Sequence, residues 1–140
     1  MTGKIAKKII GKDGEWEVVI GLEVHAQVIT NLKLFSNGSA KFRKDANSNL
    51  DLLDIGLPGT LPVINKLAIN QAIKTGIALN AKINNKSIFD RKNYFYADLP
   101  LGYQISQFKD PIVGEGFIDI DIDEESTKRI RLERLHLEQD

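Results

Sequence analysis

The run Trp16–Ile29, WEVVIGLEVHAQVI, alternates so regularly that it sets the first limit on the fold. Trp16, Val18, Ile20, Leu22, Val24, Ala26 and Val28 fall on one face of an extended chain; Glu17, Val19, Gly21, Glu23, His25, Gln27 and Ile29 fall on the other. The spacing predicts a strand with an apolar core face and an opposite face that is polar at its centre. Gly21 leaves room there for a close approach. A chain carrying such a strand needs a sheet to receive it.

Two further patterns complete the architecture. Asn65 follows Pro62 as an N-cap and opens NKLAINQAIKTGIALN, where Leu67, Ala68, Ala72, Ile73, Gly76, Ile77 and Leu79 recur at helical spacing. A helix over about Lys66 to Asn80 is predicted, with Ala72 and Gly76 allowing close packing on a sheet. In GFIDIDID, Ile118, Ile120 and Ile122 face inward and Asp119, Asp121 and Asp123 outward. EEST turns the chain, and KRIRLERLHLEQD returns as the second half of a hairpin, with Arg129 and Arg131 available to the aspartates. Ile130 and Leu132 share one parity and Leu135 and Leu137 the other, so a bulge near Glu133 is expected. Between Thr30 and Leu61 turn formers dominate, with one short strand expected near Leu50 to Ile55. Strand, helix and hairpin in this order predict an α+β domain, a mostly antiparallel sheet with a packed helix.

Composition narrows the function classes. A length of 140 residues suits one domain, and a formal net charge of zero argues against nucleic-acid binding through overall charge, leaving a local basic patch open. There is no cysteine, which excludes disulfides and cysteine-ligated zinc or iron–sulfur sites and is compatible with a cytoplasmic location. No apolar run approaches the roughly 18 residues of a membrane span. Residues 1–15, with Lys4, Lys7, Lys8 and Lys12, read as a mobile basic leader, and 16–140 as the folded region. RIRLERLHLEQD stops without a turn or cap signal, so the chain reads as cut short.

Chemistry-bearing residues gather in three places. Glu23 and His25 stand side by side on one strand face, and His136, Glu138 and Asp140 repeat the spacing of two. If the two strands are neighbours, imidazoles and carboxylates form one cluster, a set suited to Mg²⁺ and nucleotide phosphates. The same spacing also fits a solvated polar face with ordinary ion pairs. No histidine spacing supports a catalytic zinc. The third place is FDRKNYFYADLPLGYQISQF, which fits neither a clean helix nor a clean strand. Arg91 and Lys92 suit phosphate, Tyr94, Phe95, Tyr96 and Tyr103 suit stacking on a base, and Gln104, Ser106 and Gln107 read as hydrogen-bonding groups on one face. An ordered loop packing its own rings is the alternative. DIGLPGTLPV lacks the Gly-Lys-Ser/Thr ending of a phosphate-binding P-loop.

Together VIGLEVHAQ, LPGTLPVINKLAINQAIKTGIALN, FDRKNYFYADLPLGYQISQF and RLHLEQD resemble, in order from about Trp16 to Asp140, the start of the B-type subunit of the aspartyl/glutamyl-tRNA amidotransferases. The resemblance implies a ligase component of protein biosynthesis that uses ATP and Mg²⁺ to phosphorylate the side-chain carboxylate of glutamate or aspartate misacylated on tRNA. Ammonia from glutamine then displaces phosphate, giving Gln-tRNA or Asn-tRNA. It implies a heterotrimer with the A-type glutaminase and the small C-type subunit, acting on Glu-tRNA(Gln) or Asp-tRNA(Asn), and a cradle similar to the glutamine synthetase catalytic core. Carried over by motif, Glu23, His25 and Glu138 belong to the metal-and-phosphate face. Arg91, Lys92, Tyr94, Gln104 and Ser106 would line the cradle. Relatives usually read HLEED then AGK; here Gln139 stands at the second acidic position and brings no charge. Many relatives carry a zinc knuckle near the stretch matching 47–58, and NSNLDLLDIGLP resembles the zinc-free type. The expectation is a truncated piece, inactive alone. A non-catalytic remnant or scaffold of that component, and a small nucleotide- or RNA-binding module, are the alternatives.

Overall fold

The computed structural model describes residues 8–43, 45–99 and 101–139. The first seven residues of the expected leader, and Asp140, lie outside them. Its elements in chain order are β1 (Lys8–Gly11), β2 (Gly14–Glu17), α1 (Lys66–Ala78), β3 (Asp90–Asn93), β4 (Tyr103–Ser106), β5 (Gly116–Asp121) and β6 (Thr127–Leu132). The strands form three two-stranded antiparallel sheets, β1–β2, β3–β4 and β5–β6. The expected α+β class with antiparallel pairing therefore holds, as small strand pairs and one helix rather than one continuous sheet.

The helix follows its sequence signals closely. Asn65 adopts extended backbone, φ −71° and ψ 110°, and its Oδ1 accepts from Leu67 N at 2.9 Å. Its Nδ2 donates to Leu32 O and Lys33 O at 3.1 and 3.3 Å, so the cap also ties the helix to the preceding loop. At the other end Asn80 takes φ +50°, Asn80 N donates to Ile77 O at 3.1 Å and Ala81 N to Gly76 O at 2.9 Å. This is a Schellman stop, in which a left-handed residue turns the chain and two orphan carbonyls are satisfied.

The core forms where α1 meets the later chain. Ala72, Ile112, Val113 and Leu137 are buried, with Val28, Leu34, Ile69, Ile73, Ala81, Ile83, Phe89 and Leu135 packed against them. Val113 is at the centre, fully buried and bridged to Ile83 on one side and Leu135 on the other. Gly76 lets the helix reach it: a Cβ there would meet Val113 Cγ2 at 2.8 Å.

Three expectations are corrected. The alternating run 16–29 is not a strand beyond Glu17: residues 18–31 carry no helix or strand, and Val19, Ile20, Leu22 and Val24 are more than four-fifths exposed. Alternation makes a strand only when a partner supplies hydrogen bonds. Here the run is anchored at its far end, where the Gln71 amide exchanges bonds with Ile29 N and O at 3.3 and 2.8 Å. The short strand near Leu50–Ile55 is instead a turn, closed by Asp54 N to Asp51 O and Gly56 N to Leu53 O, both at 3.0 Å. Asp54 explains it, since its carboxylate collects Lys33 Nζ, Ser36 Oγ and Asp51 N, each at 2.9 Å. The phase change after Leu132 is a change of partner. β6 pairs with β5 up to Leu132, and Leu135 then exchanges backbone bonds with Val113 at 3.1 and 3.2 Å. Residues 8–17 form the β1–β2 hairpin, where Ile9 pairs with Trp16 and Lys8 Nζ meets Glu15 Oε2 at 2.7 Å.

Candidate functional site

FDRKNYFYADLPLGYQISQF folds as a β-hairpin, which corrects the expectation that it is neither helix nor strand throughout. Asp90 pairs with Ser106, Arg91 with Ile105, Lys92 with Gln104 and Asn93 with Tyr103. The connection is closed by Tyr94 N to Gly102 O at 3.0 Å, with Gly102 at φ +70° making the turn. Ile105 also bridges to Gln139, whose N donates to Ile105 O at 2.9 Å. β4 is therefore flanked on both sides, by β3 and by the chain end.

Register then decides which side chains share a face. Cross-strand partners point the same way, and neighbours along a strand point opposite ways. Asp90 and Lys92 of β3 share a face with Gln104 and Ser106 of β4. Stepping one residue from the Ile105–Gln139 bridge places Glu138 opposite Ser106 on that face, with His136 two residues before it. The contacts agree: Ser106 Oγ donates to Glu138 Oε2 at 2.9 Å, and His136 Nε2 lies 3.2 Å from the same oxygen. Gln104 and Ser106 are buried, and the His136 and Glu138 side chains retain 24% and 18% exposure, enough for a ligand to reach.

Gln107, expected beside Gln104 and Ser106, follows Ser106 beyond the strand and serves the backbone instead. Its Oε1 accepts from Ile112 N and Leu137 N, both at 3.2 Å, and this holds the chain just before Glu138. Its Nε2 is buried without a partner among the described residues.

The cations and rings of the hairpin are engaged with one another. Arg91 Cζ lies 4.6 Å from the Tyr103 ring centroid and Lys92 Nζ 5.2 Å from that of Tyr94. Tyr94 and Tyr96 meet edge to face at 5.3 Å. Phe95 and Tyr96 remain open to solvent, 91% and 68% exposed, and are the rings with a face to stack on a planar ligand.

Glu23 and His25 lie elsewhere. They approach each other at 3.9 Å, and both side chains are more than two-thirds exposed. Among the described residues, no group of three or more His, Asp or Glu side chains is placed to hold a metal ion. The structure thus presents two carboxylate–imidazole pairs that are not joined. The donor set on the hairpin face offers Mg²⁺ one carboxylate, that of Glu138. That ion keeps several waters and takes one or two carboxylates plus substrate phosphates. Glu138 offers one carboxylate whose Oε1 has no partner among the described residues.

Spacing alone paired His136 with Glu138. It could not find Ser106 for Glu138, because the two are separated by 32 positions and meet only through the Ile105–Gln139 pairing. Burial pushes the Asp54 carboxyl up, but the hydrogen bonds from Lys33, Asp51 and Ser36 together leave it below its ordinary value. The Arg129 guanidinium, bonded to both Asp119 oxygens at 2.7 Å, lowers Asp119. No helix among the described residues is long and apolar enough to cross a membrane.

Comparison with known proteins places these features. The chain is 58% identical over 140 residues, all of its length, to the B-type subunit of the aspartyl/glutamyl-tRNA(Asn/Gln) amidotransferase of Bradyrhizobium sp. strain BTAi1, covering 28% of that protein. It is 61% identical over 137 residues, 94% of its length, to the same protein of Agrobacterium fabrum strain C58, covering 27% of it. Rhodospirillum rubrum supplies another such protein at 58% over 132 residues, covering 94% of this chain and 27% of that one. The chain thus spans little more than a quarter of the length of these relatives. Residues 18–140, which include the whole hairpin face and the Glu23–His25 pair, match the GatB/GatE catalytic domain, and the chain belongs to that family.

Proposed function

We propose that this chain is the first part of the catalytic cradle in the B-type subunit of a tRNA-dependent amidotransferase. The observation that carries the reading is the partly open polar face of Lys92, Gln104, Ser106, His136 and Glu138, lying within the family match. The reaction is phosphorylation by ATP of the side-chain carboxylate of glutamate or aspartate on Glu-tRNA(Gln) or Asp-tRNA(Asn), followed by displacement of phosphate by ammonia. Mg²⁺ supplies charge neutralisation at the phosphates when bound. No protein nucleophile is needed, so catalysis rests on positioning and charge.

In this reading Glu138 holds the metal side. Lys92 takes phosphate on that face, while Arg91, which shares the opposite face of the hairpin with Ile105 and Tyr103, reaches phosphate only from the other side; Tyr94 shapes the hairpin, and Gln104 and Ser106 order the floor. Glu23 and His25 contribute to metal and phosphate once the 18–28 stretch is held against that face, an arrangement absent from the described residues. The A-type glutaminase and the small C-type subunit complete the heterotrimer, in the cytoplasm where tRNA is charged, and the cradle shares its chemistry with glutamine synthetase. The apolar side chains exposed at Val19, Ile20, Leu22 and Val24 support a chain that works covered by further polypeptide. By itself the chain makes no amide.

The test is a titration of the labelled chain with Mg²⁺-ATP, followed by resonance shifts. Changes concentrated at Lys92, Ser106, His136 and Glu138 are expected, and they vanish in Glu138→Gln. Unchanged resonances at millimolar Mg²⁺-ATP refute the reading. Glutamine-dependent amidation of Glu-tRNA by the chain alone would show that it is sufficient without the remainder.

A further inference from the structure

One oxygen of Glu138 takes both of its side-chain contacts. Ser106 Oγ and His136 Nε2 both meet Oε2, at 2.9 and 3.2 Å, and no described residue makes a hydrogen bond or ion pair to Oε1. A glutamate side chain has three rotatable bonds and, unheld, samples many orientations. Two contacts on one oxygen from two different segments fix its plane. One comes from β4, whose backbone is paired on both sides; the other comes from Glu138's own segment, pinned by Leu137 N to Gln107 Oε1 at 3.2 Å and Gln139 N to Ile105 O at 2.9 Å. Ser106 is buried at 6% exposure, so its hydroxyl is spent on this bond rather than on water. The arrangement differs from a nucleophilic serine relay. There the hydroxyl donates to the imidazole, whereas here hydroxyl and imidazole both address the carboxylate.

We propose that Ser106 and His136 are positioning residues that anchor Oε2 of Glu138 and so aim Oε1 at a divalent cation. This rests on the metal role given to Glu138 above. Groups that orient a ligating carboxylate from behind commonly matter for affinity as much as for geometry.

The experiment has two readouts on the chain and its variants Ser106→Ala, Ser106→Thr, His136→Phe and Glu138→Gln, with circular dichroism confirming folding of each. The first is the side-chain coupling pattern and carboxyl ¹³C signal of Glu138 without metal. The second is Mn²⁺ affinity, measured by electron paramagnetic resonance. Expected are a single Glu138 rotamer in the wild type, averaging in Ser106→Ala and His136→Phe, and recovery in Ser106→Thr, which keeps the hydroxyl. Mn²⁺ binding should weaken about ten-fold in Ser106→Ala and His136→Phe and stay near wild type in Ser106→Thr. If Ser106→Ala does not fold, His136→Phe decides by the same two readouts. An unaltered Glu138 rotamer with unaltered Mn²⁺ affinity in the folded variants overturns the proposal. If Glu138→Gln binds Mn²⁺ as the wild type does, or the wild type does not bind it, the metal role fails instead, and the rotamer comparison alone then accepts or rejects the anchoring.

Discussion

Gly76 of α1 stands so close to Val113 that a methyl group on its Cα would meet Val113 Cγ2 at 2.8 Å and Cγ1 at 2.9 Å. Ile83 Cδ1 would be nearer still, at 2.6 Å, but it is the end of a flexible side chain and can swing away. Val113 cannot, because it is β-branched, fully buried and bridged on both sides.

The Gly76→Ala variant therefore sets two effects against each other. Alanine gains about 1 kcal/mol of helix propensity over glycine, while overpacking a filled core costs about 1–3 kcal/mol. Packing is expected to win, with a net loss of about 1 kcal/mol in urea unfolding. A gain in stability would mean that the contact between helix and core is looser than described.

Gln107→Leu tests the brace behind the candidate site. The substitution removes the acceptor for Ile112 N and Leu137 N and also removes the orphan Nε2. Two backbone donors left without an acceptor against one orphan donor relieved leaves a net cost of about 2 kcal/mol. Amide exchange at Ile112 and Leu137 should accelerate, and that at Leu79 and Asn80, held by the helix stop, should not. Equal acceleration everywhere would count against a local brace.

Asp54 predicts an acid limb. Its carboxyl lies below the ordinary aspartate value of 3.8 in the folded chain, despite burial, because of its bonds to Lys33, Asp51 and Ser36. Its stabilisation is thus complete above that ordinary value and is lost as pH falls through the lower folded value. Asp54→Asn should cost about 2 kcal/mol near neutral pH, with the difference from wild type shrinking as the solution is acidified below roughly pH 4. Urea unfolding across that range checks both the size and the direction.

Gly102→Ala places a side chain at φ +70°, with its Cβ 3.1 Å from the Phe95 ring. Left-handed backbone costs a non-glycine residue about 1–2 kcal/mol. The expected result is faster exchange of the Tyr94 amide, which is bonded to Gly102 O, and weaker shifts on adding Mg²⁺-ATP. Unchanged Tyr94 exchange would show that the turn tolerates the strain.

The α1 boundaries, its Asn65 cap and the β5–β6 hairpin were legible because their signals are local. Capping, helical periodicity and two alternating runs across a short turn are settled by residues close along the chain, and the structure reproduces the cap, the helix and the strand pairing; Ile118, Ile120 and Ile122, expected to face inward, are instead exposed, because no layer of the described residues covers that face. The two ends of the candidate site were legible separately, as a cation-rich aromatic stretch and as LHLEQ. Their union was not, since it depends on Ile105 pairing with both Arg91 and Gln139.

The run 16–29 marks the boundary between the two kinds of information. Its alternation is a property of the chain alone, but a strand exists only where a second backbone accepts and donates the bonds, and among the described residues none does so for 18–28. Local pattern was enough to say which residues could be helical, which could turn, and to which family the motifs point. That Ser106, His136 and Glu138 meet while Glu23 and His25 stand apart follows from how distant segments pack. Contacts between distant segments depend on backbone pairing and core closure around Val113, which no local pattern encodes.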